Sequence, residues 1–121
     1  MKKVLIVDDD SRMLKLLSGY LEGAYETTLI KSGAAALTYL QENVPDAIIL
    51  DFMMPALDGP HTLAQIRKTE ALAKVPAIFI TSVTDKKRIQ EMQDCKPDGY
   101  LVKPVAQEEL LMTLGQVLAN G

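Results

Sequence analysis

The chain has 121 residues, 48% hydrophobic and 24% charged, which suits one domain (1–121) with a buried core and excludes a disordered tail. Its formal net charge of −3 argues against the basic surface that sequence-independent nucleic-acid binding needs. Cys95 is the only cysteine, which excludes an intrachain disulfide and a cysteine metal cluster, and no stretch approaches the ~20 apolar residues that span a bilayer. The apolar segment after Met1-Lys2-Lys3 is four residues long, too short for a signal peptide, so the expectation is a soluble cytoplasmic domain without membrane contact.

Val4-Leu5-Ile6-Val7 reads as a first buried strand, ending in Asp8-Asp9-Asp10. Asp10 or Ser11 can cap the helix that follows, whose inner face is predicted as Met13, Leu17, Tyr20 and Leu21, with Gly23 closing it. Tyr25 to Ile30 reads as a second strand at a sheet edge. Ser32-Gly33 opens a second helix with Ala36, Leu37, Leu40 and Val44 inward and Pro45 as its stop. Asp46 to Leu50 is apolar on both faces, as in a central parallel strand, and Asp51 ends it. Asp58-Gly59-Pro60 supplies a turn and a cap before a third helix marked by Leu63 and Ile66. Val75 to Ile80 is the fourth strand, with Pro76 at its start, and Thr81-Ser82-Val83-Thr84 is a polar break. A fourth helix is expected from about Asp85 to Gln93 with a thin apolar face of Ile89 and Met92. After the turn Lys96-Pro97-Asp98-Gly99 comes a fifth strand, Tyr100-Leu101-Val102, and Lys103-Pro104. The last helix turns Leu110, Leu111, Leu114, Val117 and Leu118 inward, and Asn120-Gly121 ends it.

Strict alternation of five strands and five helices predicts an α/β fold, a doubly wound parallel sheet with helices on both faces. In such sheets chemistry gathers beyond the carboxyl ends of the strands, where Asp8-Asp9, Asp51, Thr81-Ser82 and Lys103 all fall. In the common order 2-1-3-4-5 the first and third strands are neighbours, about 4.8 Å apart, which brings three carboxylates into one pocket. Oxygen ligands at that density, without His or Cys, suit Mg²⁺ better than zinc. A carboxylate nucleophile, a cation site, a lysine and a hydroxyl are the parts needed to place a phosphoryl group on Asp51.

These residues resemble the receiver domain of response regulators in bacterial two-component signal transduction, of the chemotaxis-regulator type. Four features carry the resemblance: Ile6-Val7-Asp8-Asp9-Asp10; Asp51 followed by Met53-Met54-Pro55 and Gly59; Ile80-Thr81-Ser82; and Tyr100-Leu101-Val102-Lys103-Pro104. It implies a flavodoxin-like sheet in the order 2-1-3-4-5. It implies that Asp51 accepts a phosphoryl group from the phosphohistidine of a sensor kinase or phosphotransfer protein. Mg²⁺ would be held by Asp9, Asp51 and the backbone carbonyl of Met53, with Asp8 acting largely through a water. Thr81, Ser82 and Lys103 would lie against the phosphoryl group, and the Lys103-Pro104 bond would be cis. Thr81 and Tyr100 would form the switch, and the face of the fourth helix, fifth strand and fifth helix would be read by an output domain or downstream protein. Phosphorylation-driven homodimerisation through that region stays open, as does whether the chain stands alone. The pattern departs from the family at Cys95-Lys96-Pro97, Val105 and Ala106, near that face.

Blander readings stand beside these. Asp8-Asp9-Asp10 can be a solvated helix cap, Asp51 and Lys103 surface charges, Tyr100 a static aromatic. Lys86-Lys87-Arg88 reads as a solvated helix face and His61 as an exposed helix residue. The competing functions are a phosphoaccepting switch that is not an enzyme beyond its own phosphorylation and dephosphorylation, a Mg²⁺-dependent phosphohydrolase with an aspartyl nucleophile, and a receiver-like module that works by contact alone. The phosphohydrolase usually needs a second acid near the nucleophile, which Phe52-Met53 does not supply. A nucleotide binder is disfavoured because no strand-to-helix loop carries a glycine-rich phosphate cradle.

Overall fold

Short runs of Val, Ile and Leu, apolar on successive residues, must be covered on both faces, and the chain does this by alternating strand with helix. The computed structural model describes residues 1–82 and 86–120. The elements are β1 (Lys3–Val7), α1 (Ser11–Leu21), β2 (Glu26–Ile30), α2 (Gly33–Leu40), β3 (Ala47–Asp51), α3 (Gly59–Arg67), a 3₁₀ turn (Glu70–Leu72), β4 (Ala77–Thr81), α4 (Lys86–Asp94), β5 (Gly99–Val102) and α5 (Gln107–Asn120). The five strands form one parallel sheet in the order β2-β1-β3-β4-β5, the expected flavodoxin-like arrangement. β2 lies at an edge, as its mixed composition predicts.

Successive strand residues feed two cores, because side chains alternate across a sheet. Leu5, Val7, Ile48, Leu50, Ala77 and Phe79 join residues of α2, α3 and α4 on one face. Val4, Ile6, Ala47, Ile49, Ile78 and Ile80 join residues of α1 and α5 on the other. Phe79, fully buried, meets Phe52 edge-to-face with ring centroids 5.4 Å apart.

Several sequence expectations shift. Leu14, rather than Met13, is buried with Leu17 and Leu21, since spacings of three and four along α1 put Leu14 at the centre of the stripe and Met13 at its margin. Val44 is exposed rather than inward. α2 ends at Leu40, before Pro45 can act; the Asn43 side-chain amide donates to the Tyr39 carbonyl and takes one of the end groups. The 3₁₀ turn was not legible in the sequence. Arg67 holds it by donating to the carbonyls of Leu72 (3.2 Å) and Val75 (2.6 Å) while pairing with Asp98 at 3.2 Å. Asp98 in turn accepts from the Ala77 amide at 2.8 Å, so one network ties α3 to the starts of β4 and β5. The fourth helix is observed from Lys86; its predicted start at Asp85, Val83-Thr84 of the polar break and Gly121 lie outside the described residues.

Candidate functional site

Register places the carboxylates. Val7 pairs with Leu50, so Asp8 leaves β1 beside Asp51 at the end of β3. Asp51 pairs with Ile80 and Thr81 with Val102, which brings Thr81 and Lys103 onto the same sheet edge. The Lys103 amide donates to the Thr81 carbonyl at 2.8 Å, and the Lys103-Pro104 bond is cis. Asp8, Asp51 and Thr81 are buried, whereas Asp9 and Ser82 are exposed. Asp8, Asp9 and Asp51 each offer an oxygen within 4.8 Å of the others.

Lys103 is the cation of this site. Its Nζ lies 3.3 Å from Asp8 Oδ2 and 3.6 Å from Asp51 Oδ1. The approach to Asp8 Oδ2 lacks the direction of a hydrogen bond, so that buried oxygen keeps an unsatisfied lone pair among the described residues. Asp8 Oδ1 accepts from the Asp10 amide at 2.9 Å, which folds the acidic turn back on itself. Asp10 caps α1 by accepting from the Arg12 amide. Asp10 thus caps the helix, while Asp8 turns into the carboxylate cluster and Asp9 adds its third oxygen.

Burial and the neighbouring Asp8 carboxylate push the Asp51 carboxyl up from 3.8 to about 7, against the pull of Lys103 and the Met53 amide. The Met53 amide reaches Asp51 Oδ1 at 3.4 Å. Three hard oxygen donors, one buried and unsatisfied, fit a hard divalent cation that keeps part of its water shell.

The backbone beneath this cluster depends on Gly59. Its amide donates to the Phe52 carbonyl at 3.0 Å, and a Cβ there would sit 2.5 Å from the Asp51 carbonyl oxygen and 2.9 Å from Phe52 Cα. Asp58 caps α3 just ahead of it by accepting from the His61 amide at 2.9 Å. Gly59→Ala must push the α3 start off β3. Urea denaturation is expected to show a loss of about 1–3 kcal/mol from this overpacking.

Tyr100 is 43% exposed on β5; Val102 of β5 and Met112 of α5 are also exposed. His61 is exposed, as expected, and pairs with Asp58 at 2.7 Å. Arg88 is a contact the sequence reading missed: its Nη1 lies 3.0 Å from Met53 Sδ. The available signal was the basic run at the start of a helix, where the dipole disfavours cations.

The response regulator receiver domain family model matches residues 4–114. The chain belongs to that family. This receiver domain is 35% identical over 117 residues to the response regulator MprA of Mycobacterium sp. (strain KMS), a match covering 96% of this chain and 50% of that protein. It is 32% identical over 111 residues to the DNA-binding response regulator MtrA of Mycobacterium tuberculosis (strain ATCC 25618 / H37Rv), covering 91% and 47%. The chain thus spans about half the length of the curated relatives it matches. Among solved structures it is similar to the chemotaxis response regulator CheY4 of Vibrio cholerae, with a TM-score of 0.89, 34% identity and coverage of 97% and 98%. It is a receiver domain of a two-component system. Among the described residues no helix is long and apolar enough to cross a membrane.

Proposed function

We propose that this receiver domain, residues 1–121, is a phosphoaccepting switch whose acceptor is Asp51. The observation that carries the reading is a buried carboxylate set between two further carboxylates and a lysine at one sheet edge. Asp51 Oδ attacks the phosphorus of a kinase or phosphotransfer-protein phosphohistidine; the O–P bond forms as the P–N bond breaks. The imidazole nitrogen leaves with the electron pair and takes a proton.

Each residue has a task in that transfer. Asp8, Asp9, Asp51 and the Met53 carbonyl would hold Mg²⁺, which when bound favours ionised carboxylates and offsets charge on the transferred oxygens. Lys103, already pointed at Asp51 Oδ1, moves its charge onto a phosphoryl oxygen. Thr81 donates its hydroxyl to another, and exposed Ser82 borders the path of the donor. Thr81 and Tyr100 relay the new charge to the face of α4, β5 and α5. Exposed Tyr100, Val102 and Met112 give that face apolar contacts for an output domain or downstream protein in the cytoplasm. The DNA-binding name of MtrA supports an output of that kind in a longer chain.

Phosphoramidate tests the reading, because its P–N bond imitates the phosphohistidine donor. With Mg²⁺ it is expected to leave a base-labile phosphoryl group on the protein, while p-nitrophenyl phosphate is not turned over. Catalytic release of nitrophenol, with no phosphoryl group retained, would instead establish a phosphohydrolase.

A further inference from the structure

Arg88 stands in the first turn of α4, and its guanidinium rests on the thioether of Met53. A thioether sulfur is a weak acceptor for a planar cation that binds oxyanions well. Among the described residues no carboxylate lies within 4.0 Å of that guanidinium. Met53 stands two positions after Asp51 and its amide reaches Asp51 Oδ1, so the guanidinium contacts the side chain of a residue that borders the acceptor. Arg88 and Met53 line a common groove of about 410 Å³ with Phe52, Met54 and Glu91.

The helix carrying Arg88 is charged against its own dipole. Lys86, Lys87 and Arg88 occupy the positive end with no acidic residue in the first turn, and Glu91 and Asp94 lie toward the negative end. Met92 is the only residue α4 buries among those described. The helix is therefore lightly held, and negative charge arriving near its first turn stabilises it.

We propose that Arg88 is a phosphoryl-contacting residue that leaves Met53 when Asp51 is phosphorylated and draws the first turn of α4 toward the acceptor. This rests on the acceptor role of Asp51. A phosphoryl dianion accepts charge-assisted hydrogen bonds, which are shorter and stronger than any bond to sulfur. The exchange of partners moves α4 without breaking a carboxylate pair. It links the acceptor to the output face by a route separate from Thr81 and Tyr100.

The experiment follows the side-chain Nε–H resonances of the three arginines, Arg12, Arg67 and Arg88, in ¹⁵N-labelled protein. Acetyl phosphate and Mg²⁺ are added, and intact mass is read in parallel. The Arg88 resonance, assigned with Arg88→Met, is expected to shift on phosphorylation while that of Arg67 stays. Beryllofluoride, a phosphoryl mimic, is expected to bind Arg88→Met about tenfold more weakly than wild type, with Arg88→Lys in between. An unmoved Arg88 resonance in protein that has gained the phosphoryl mass overturns this proposal alone. So does wild-type beryllofluoride affinity in Arg88→Met, which would make the side chain an apolar cover. No gain of mass in wild type overturns the acceptor role and this proposal with it.

Discussion

Without divalent cations the protein is expected to lose stability as the pH rises from about 4 to about 8, and Asp51→Asn is expected to remove most of that loss. The cause is the burial of Asp51 beside Asp8, which holds its carboxyl at about 7 in the fold against an ordinary 3.8. Between those values the native state binds a proton that the unfolded chain has released. Stability is therefore greatest below the lower value and is lost as the pH climbs through the upper one. A difference of about three pH units sets a ceiling of about 4 kcal/mol on the effect. Urea denaturation in excess chelator is expected to show a fall of roughly 2–4 kcal/mol for wild type and a nearly flat profile for Asp51→Asn. An equal slope in both proteins would place the pH dependence elsewhere. Added Mg²⁺ is expected to stabilise wild type more at pH 8 than at pH 5, because the ionised carboxylates bind it and mass action then favours the native state.

Lys103→Ala is expected to slow phosphorylation by acetyl phosphate about a hundredfold, by analogy with loss of a donor aimed at developing negative charge. Lys103 is the cation that the structure places within 4.0 Å of both Asp8 and Asp51, and its side chain is only 22% exposed. Alanine leaves two buried carboxylates facing each other and removes the charge proposed to meet the incoming oxygens. Lys103→Arg keeps the charge with a different reach and is expected to fall between the two. Time courses of intact mass separate these rates. A Lys103→Ala rate equal to wild type would remove this lysine from the chemistry.

What the sequence revealed, and what it hid, follows the range of the interactions involved. The strands were legible because Val4–Val7 and Ile48–Leu50 are apolar on every residue, a pattern that parallel sheets impose. The gathering of Asp8, Asp9, Asp51, Thr81 and Lys103 was legible because each ends a strand or lies just past one, and strand order alone then brings them to one sheet edge. The α1 stripe differs by one residue from the predicted one because Met13 and Leu14 are both apolar and spacing alone does not choose between them. The Arg67–Asp98 network was hidden because it joins residues far apart in the chain through backbone carbonyls that carry no sequence signal. The tight contact of Gly59 with Asp51 and Phe52, and the seat of Arg88 on Met53, were hidden for the same reason. Both depend on how close two elements lie.

In the proposed switch, Asp51 accepts a phosphoryl group with the help of a divalent cation. Intact mass after incubation with acetyl phosphate, in Mg²⁺ and in excess chelator, tests it most directly. The expected result is a gain of about 80 Da, one phosphoryl group, in Mg²⁺ only, labile to base and absent from Asp51→Asn. The same gain in Asp51→Asn, or no gain in folded wild type with Mg²⁺ bound, would contradict it.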